Sequence, residues 1–271
     1  MTLKHSYPTP EHARAAAVIS EHFAANFAID AVLLTNSCAR GKATPDSCLD
    51  IAILARPERL AAPLSMLEVA WEHFEQSNPA ITALAKVGKY SVVHPNFLDG
   101  VFEPGERDEA AGPDDFELGI GNFLVYGVPL WQGSDYFDQL RRRWLPYYDD
   151  EMRQQRLRMV RHYCLNNLHH IPLYIERGLY FQSFDRLYNA TREFLQALFI
   201  ARRTYPIAYN KWIREQIEDI LGLPDLYRQL THLFEIEHFE SAEIADKARQ
   251  VEEWLDFYAP STDPTTTRSS F

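Results

Sequence analysis

The chain has 271 residues, of which 46% are hydrophobic and 24% charged, an ordinary composition for a globular protein that buries a substantial core. Its formal net charge of −11 argues against general binding to nucleic acid, which depends on clustered Lys and Arg. No apolar run approaches the length that crosses a bilayer, and the first residues lack an apolar signal core. We therefore expect a cytoplasmic protein without a membrane partner.

The first hundred residues alternate between helix and strand signals. Thr9 before Pro10 is typical of a helix N-cap with proline at the first helical position. The predicted elements are a helix to about Phe27, strands over Ala31–Leu34 and within 46–54, a helix from Pro57 to about Gln76, and a β-rich stretch from Ile81 to Leu98. Residues 103–115 are rich in Pro, Gly and acids, which predicts a linker or mobile loop.

From Tyr136 onward the pattern is almost entirely helical. The predicted helices span about 147–176 with a bend at Pro172, 179–203, 209–221, 224–235 and 241–258. An α/β part followed by a helical part predicts two domains, 1–125 and 126–258, with a cleft between them. The Ser-, Thr- and Pro-rich tail, residues 259–271, is predicted to be disordered.

The most informative segment is the polar turn between the first two strands, together with the start of the second strand. The turn reads Thr35-Asn36-Ser37-Cys38-Ala39-Arg40-Gly41, and the strand begins Asp46-Ser47-Cys48-Leu49-Asp50. Short loops of small residues turn several backbone N–H groups toward one point and make an anion-binding nest. Ser37, Arg40 and Gly41 are therefore candidate phosphate-binding residues. The structural alternative is an ordinary strand-to-helix connection with Ser37 as an N-cap.

This segment resembles the core of the nucleotidyltransferase superfamily, which includes minimal nucleotidyltransferases and the aminoglycoside and lincosamide adenylyltransferases. The family pattern is Gly-Ser, Ala-Arg-Gly, a loop, and Ser-Asp-x-Asp before a hydrophobic residue. The positions that fit are Ser37, Ala39, Arg40, Gly41, Ser47 and Asp50. Asn36 stands at the family glycine, and Cys48 stands at the first aspartate. The resemblance implies an α+β fold, with an N-terminal mixed sheet and flanking helices followed by an all-α helical bundle.

The resemblance also implies Mg²⁺-dependent chemistry, in which carboxylates hold the ions that neutralise charge on a triphosphate. Aspartates at i and i+2 of a strand point to the same face and hold metal from one side. Cys48 is a poor substitute, because Mg²⁺ prefers hard oxygen ligands. Asp50 is the expected catalytic and metal-binding residue. Asp46 is a second candidate for both roles if a bulge or register shift brings it to Asp50.

The third acid of the family pattern lies on a later strand, which corresponds here to residues 92–100. Asn96 is in phase with that position, but an amide cannot act as a general base. Asp99 is a carboxylate and the remaining catalytic candidate, although Asp99-Gly100 also reads as a turn. His94 in the same segment is a candidate metal or phosphate ligand or a structural residue.

The helical half contains the remaining candidates. Residues 192–212 resemble the C-terminal domain of antibiotic adenylyltransferases and related bacterial proteins, in which a helix ending in Tyr-Pro and a following Lys-Trp face the nucleotide. The resemblance implies that Lys211 contacts the triphosphate and that Arg192 lines the same site, where cations stabilise leaving pyrophosphate. Alternatively, these cations lie on solvated helix faces and pair with the many acids.

These observations predict transfer of a nucleoside monophosphate, AMP by the resemblance, from a nucleoside triphosphate to a hydroxylated small molecule or a protein. Asn36, Cys48 and Asn96 support a second hypothesis, a catalytically inactive member that binds a nucleotide or a protein partner. A third hypothesis is one half of a toxin–antitoxin pair that modifies a neighbouring protein. The hypotheses differ in their need for Asp50, because turnover requires this carboxylate and binding alone tolerates its replacement by an amide.

Overall fold

The protein has an α+β architecture, with a four-stranded mixed sheet and a helical C-terminal region, in a computed structural model that describes residues 6–60, 64–105 and 110–261. The chain forms two compact units. The first comprises residues 1–103 and 119–145, and the second comprises residues 104–118 and 146–271. Within the described ranges, no helix is both long and apolar enough to cross a membrane.

The first unit contains the sheet and its flanking helices. Its elements are α1 (Pro10–Ala24), β1 (Ala31–Leu34), α2 (Asn36–Ala39), β2 (Leu49–Leu54), α3 (Pro57–Leu60), α4 (Leu64–Ser77), α5 (Pro79–Leu84), β3 (Val93–Leu98), the end of α6 (Phe116–Ile120), a π-helical turn (Gly121–Val125), β4 (Val128–Gln132) and α7 (Tyr136–Trp144). Thr9 caps α1 by accepting a hydrogen bond from the His12 amide, as the sequence predicts.

The strand order in the sheet is β3-β2-β1-β4. β1 pairs antiparallel with β2 and with β4, whereas β2 and β3 run parallel. Alternate residues of the two central strands face a core shared with α1 and α4; its members include Val32, Leu34, Leu49, Ile51, Ile53, Ile19, Phe23 and Trp71. Asp50 is the second residue of β2 and lies on the opposite face of the strand, because successive side chains of a strand alternate between its two faces.

The β-rich prediction is wrong at its beginning, because Pro79–Leu84 forms helix α5. The Asn78 side chain accepts a hydrogen bond from the Ala80 amide at 2.9 Å, and Pro79 occupies the first turn. These are the N-terminal signals of a helix, and they outweigh the apolar residues that suggested a strand. The strand prediction is confirmed only for Val93–Leu98.

The second unit is built from helices. After residue 145, its elements are α8 (Asp150–Glu176), α9 (Tyr180–Ala201), a π-helical segment (Glu215–Ile220), α10 (Pro224–Leu233) and α11 (Glu243–Tyr258). Helices α8, α9 and α11 enclose one apolar core, whose members include Leu157, Val160, Leu168, Phe194, Leu198, Val251 and Leu255. The predictions for 147–176, 179–203, 224–235 and 241–258 are confirmed to within a few residues. The helix predicted over 209–221 begins only at Ile213, and it is π-helical over Glu215–Ile220.

A buried polar network holds residues 110–118 against the helices of the second unit. The Arg156 guanidinium donates to both carboxylate oxygens of Asp114 at 2.7 Å and to Glu117 at 2.7 and 2.9 Å. The Gln196 amide donates to the same two carboxylates, and the Tyr148 hydroxyl donates to Glu117. The described part of the predicted linker is thus an integral part of the helical unit.

The unit boundaries therefore differ from a division at residue 125. Residues 104–118 belong to the second unit because of the Arg156 network, and β4 belongs to the first because it pairs with β1. Residues 106–109 of the predicted loop and residues 262–271 of the predicted tail lie outside the described residues.

Candidate functional site

The end of β1 is joined to the start of β2 by the side chain and backbone of one threonine. The Thr35 amide and the Thr35 hydroxyl both donate to the Asp50 carbonyl oxygen, at 3.0 and 3.2 Å. Thr35 is buried and Asp50 is half-buried. This double contact sets the turn that follows β1 beside the residue that carries the candidate metal-binding carboxylate.

The turn after β1 begins and ends with a left-handed backbone conformation. Asn36 has φ 54° and Gly41 has φ 68°. The Lys42 amide, directly after Gly41, donates to the Ser37 carbonyl at 2.9 Å and closes the turn. Asn36 occupies the position where the resembled family has glycine, and asparagine is among the non-glycine residues that tolerate this conformation best. Asn36 thus adopts a conformation that glycine also adopts readily.

Three sulfur and carboxyl groups meet at the start of β2. The Cys48 thiol donates to Asp50 Oδ2 at 3.3 Å, and the Cys38 thiol faces the Cys48 carbonyl oxygen at 3.8 Å. Burial, followed by the negative charges of Asp50 and Cys48, raises the pKa of Cys38 to about 12. Cys38 is therefore a neutral, packed thiol at physiological pH, and Asp50 is the carboxylate of this corner.

The loop before β2 is held by contacts that include the Asp46 carboxylate. The Asp46 carboxylate accepts a hydrogen bond from the Lys89 amide at 2.9 Å. The loop is further fixed because the Ser91 hydroxyl donates to the Pro45 carbonyl at 2.6 Å. Asp46 thus fastens the loop to the segment that precedes β3. These contacts give one oxygen of this carboxylate a structural partner, and the metal-binding role of Asp46 stays a prediction.

A buried histidine from α1 also supports this loop. His12 is fully buried, and its ring nitrogens lie 2.9 Å from the Thr9 hydroxyl and 2.9 Å from the Ser47 carbonyl. Since a carbonyl oxygen only accepts, His12 Nε2 carries a proton and donates it to this bond. Sequence reasoning missed this residue. Its position three residues after the N-cap gives no signal of a partner 35 residues away.

The parallel pairing of β2 with β3 decides which later polar residues lie near Asp50. Asp50 pairs with His94, and Ala52 pairs with Asn96, so both later side chains belong to the Asp50 face. His94 and Asn96 are exposed. Sequence reasoning placed Asn96 in the correct strand phase, and the register adds His94 as the direct neighbour of Asp50.

Asp99 lies at the opposite end of the same strand pair. Leu98, the residue before it, is four positions beyond His94, which is about 13 Å along a strand. The Asp99 carboxylate accepts a hydrogen bond from the Val101 amide at 2.9 Å, and its carbonyl oxygen accepts one from the Tyr136 hydroxyl. The turn reading of Asp99-Gly100 is confirmed, because Gly100 has φ 76°. The structure does not bring Asp99 to Asp50.

Lys211 and Arg192 belong to the second unit. The Gln216 side chain organises the segment before its own helix by accepting from the Ile207 amide and donating to the Ala208 and Lys211 carbonyls. The Lys211 side chain is exposed, and no carboxylate of the described residues lies within ion-pair distance of it. Arg192 is half-buried and lies over the Tyr188 ring at 5.9 Å. The sequence did not indicate this role of Gln216, because a sequence does not distinguish a buried glutamine from an exposed one.

The donor set around Asp50 does not fit a resident two-metal centre. Across residues 6–60, 64–105 and 110–261, no group of three or more His, Cys, Asp and Glu side chains is arranged to hold a metal ion. Mg²⁺ is nevertheless held in many proteins by one or two carboxylates together with water and substrate phosphates. Asp50, beside the turn that follows β1, offers one such carboxylate.

Comparison with known proteins gives no assignment: no protein-family model matches the chain, and no curated protein matches it.

Proposed function

We propose that the first unit binds a nucleoside triphosphate, as its Mg²⁺ complex, beside Asp50. The observation that carries the proposal is the double hydrogen bond from Thr35 to the Asp50 carbonyl, which sets a tight turn next to a strand carboxylate. The nucleotidyltransferase resemblance of residues 35–50 supports it, as does the mixed sheet in which β2 runs antiparallel to β1 and parallel to β3.

Each group of this corner has a role in the proposed complex. The amides of Ala39, Arg40 and Gly41 already donate to carbonyl oxygens within the turn. The backbone N–H groups of residues 36–38 and the Ser37 hydroxyl therefore donate to the phosphate oxygens, as in an anion-binding nest. Asp50 supplies one oxygen to the Mg²⁺ ion that the triphosphate brings, and the Cys48 thiol orients the carboxylate through its hydrogen bond. Without the ion, the Asp50 charge repels the phosphates, so the complexed nucleotide is the form that binds.

Alkylation of cysteine tests the location of this complex. Cys38 and Cys164 are buried and Cys48 is half-buried, so we expect Cys48 to react fastest with iodoacetamide. Saturating MgATP should slow the modification of Cys48, located by mass spectrometry, and should leave the unfolded control unaffected. Cys48→Ser is the matched variant and should lose the fast phase. Fast, unprotected modification of Cys48 at millimolar MgATP would contradict the proposal.

Transfer of a nucleoside monophosphate to a hydroxyl group is the second candidate function. Its specific support is His94, which lies beside Asp50 in the register of β2 and β3 and is exposed to an incoming acceptor. An imidazole in that place is able to accept the proton of an attacking hydroxyl. Transfer of label from α-³²P-ATP to a second molecule would favour this candidate, and its absence would favour binding without turnover.

The roles inferred for Lys211 and Arg192 from the resemblance stay predictions. The exposed, unpaired ammonium of Lys211 is chemically suited to a phosphate. A decrease in MgATP affinity in Lys211→Gln would assign it to the nucleotide. Arg202→Gln provides the control, because Arg202 is an exposed cation at the end of α9.

A further inference from the structure

A second pocket of the first unit lies beyond the carboxyl ends of β2 and β3, at the end of the sheet away from Asp50. It has a volume of about 390 Å³. The residues that line it include Phe102, Glu103, Tyr136, Leu140, Arg143 and Trp144. Crevices at the carboxyl ends of parallel strands are recurrent ligand sites, and this volume is in the range of small-molecule pockets.

The apolar part of this pocket has a defined shape. The rings of Phe102 and Trp144 meet edge to face, with centroids 6.0 Å apart and an interplanar angle of 87°. The Tyr136 hydroxyl donates to the Asp99 carbonyl at 2.6 Å, which fixes that ring against the turn. Gly100 allows the turn to approach α7, because a Cβ atom there would lie 2.5 Å from a methyl carbon of Leu140. Trp144 is buried and supports the half-buried Phe102 ring, which is the aromatic surface that the pocket offers to a planar ligand.

The charged part of this pocket consists of two side chains of opposite sign. The Arg143 guanidinium carbon lies 5.0 Å from the centre of the Trp144 ring. Among the described residues, neither Arg143 nor Glu103 has an ion-pair partner, and the two do not pair with each other although both line the pocket. Arg56, by comparison, contacts Asp30 and Asp135. A guanidinium and a carboxylate on one pocket are complementary to a ligand that carries both charges.

We propose that this pocket binds an aromatic amino acid in its zwitterionic form. The ligand ring packs against Phe102, which the buried Trp144 supports from behind. The ligand carboxylate accepts from Arg143, and the ligand ammonium donates to Glu103. The Arg143 guanidinium lies over the Trp144 ring, and its planar set of N–H donors matches the geometry of a carboxylate. This site is separate from the proposed nucleotide site, since it uses none of the residues around Asp50.

Isothermal titration calorimetry with three related indoles tests the proposal. The probes are L-tryptophan, 3-indolepropionate, which lacks the ammonium, and tryptamine, which lacks the carboxylate. We expect L-tryptophan to bind the wild-type protein with the highest affinity. Arg143→Gln should weaken L-tryptophan and 3-indolepropionate about tenfold and leave tryptamine unchanged. Glu103→Gln should weaken L-tryptophan and tryptamine and leave 3-indolepropionate unchanged.

Arg142→Gln is the control, because Arg142 is an exposed neighbour on α7 that does not line the pocket. It should bind all three probes like the wild-type protein. The proposal is overturned if L-tryptophan shows no saturable binding at about 10 mM, which is far weaker than ordinary small-molecule sites. It is also overturned if Arg142→Gln and Arg143→Gln have the same effect, or if the two charge removals do not discriminate between the probes.

Discussion

The Cys48 thiol donates a hydrogen bond to Oδ2 of Asp50 at 3.3 Å. The two residues are separated by one position, so an extended chain presents both side chains on the same face. A second carboxylate at the place of this thiol would repel Asp50 unless a cation lay between them. The thiol instead satisfies one oxygen of Asp50 as a neutral donor. This corner therefore holds Asp50 in place without a metal ion, and an ion that arrives with a ligand meets one carboxylate.

Cys48→Asp should create a metal-binding pair that the wild-type protein lacks. Two adjacent carboxylates destabilise the folded protein in the absence of divalent ions, and Mg²⁺ bound between them restores stability by mass action. We expect the melting temperature of Cys48→Asp to rise on addition of Mg²⁺ without nucleotide. Cys48→Ser, which keeps a neutral donor, should not respond. An equal response of the wild-type protein and Cys48→Asp would mean that another group already completes the metal site.

Asn36 should tolerate glycine and not alanine. Its φ of 54° lies in the left-handed region, which costs most L-residues about 1 kcal/mol and glycine almost nothing. Asn36→Ala should lower the free energy of unfolding by about 1 kcal/mol, whereas Asn36→Gly should lie within about 0.5 kcal/mol of wild type. Urea denaturation measures both. Asn96→Ala, at an exposed strand position, is the control, and an equally small effect of Asn36→Ala would show that the turn is not strained.

Local signals in the sequence were sufficient for most of the fold. Thr9-Pro10 marked the start of α1, and the apolar runs over 31–34 and 49–54 marked β1 and β2, because caps and hydrophobic periodicity act over a few residues. The sequence also identified the turn at Asp99-Gly100. The Asn78-Pro79 cap of α5 was available in the sequence as well, and the apolar residues after it led to the wrong element.

The arrangement of the candidate site depends on contacts that local signals do not encode. The neighbour relation of Asp50 and His94 follows from the parallel register of β2 and β3, which is set by packing over a separation of 44 positions. His12 and Gln216 form hydrogen bonds through buried side chains. The sequence does not show whether a histidine or a glutamine is buried or exposed, so it does not indicate these bonds. The anchoring of residues 110–118 likewise required the distant Arg156, so the polar sequence indicated only a loop.

Arg156 should be the residue that fastens residues 110–118 to the helical unit. It is buried between Asp114 and Glu117, and its removal leaves two carboxylates in a low-dielectric environment without their cation. Arg156→Met should lower the free energy of unfolding by about 3–5 kcal/mol, measured by urea denaturation. Arg158→Met, at an exposed position on the same helix, should change it by less than about 0.5 kcal/mol. Similar small losses in both variants would contradict an anchoring role.

Calorimetric titration of ATP, with Mg²⁺ and with EDTA, into the wild-type protein, Asp50→Asn and Asp46→Asn tests the central claim most directly. We expect the wild-type protein to bind MgATP at least about tenfold more tightly than free ATP, because Asp50 coordinates the ion and repels the bare phosphates. Asp50→Asn should abolish this preference. Asp46→Asn should retain it, because an amide oxygen still accepts from the Lys89 amide. No binding of either form by the wild-type protein, or a preference that survives in Asp50→Asn, would contradict the account.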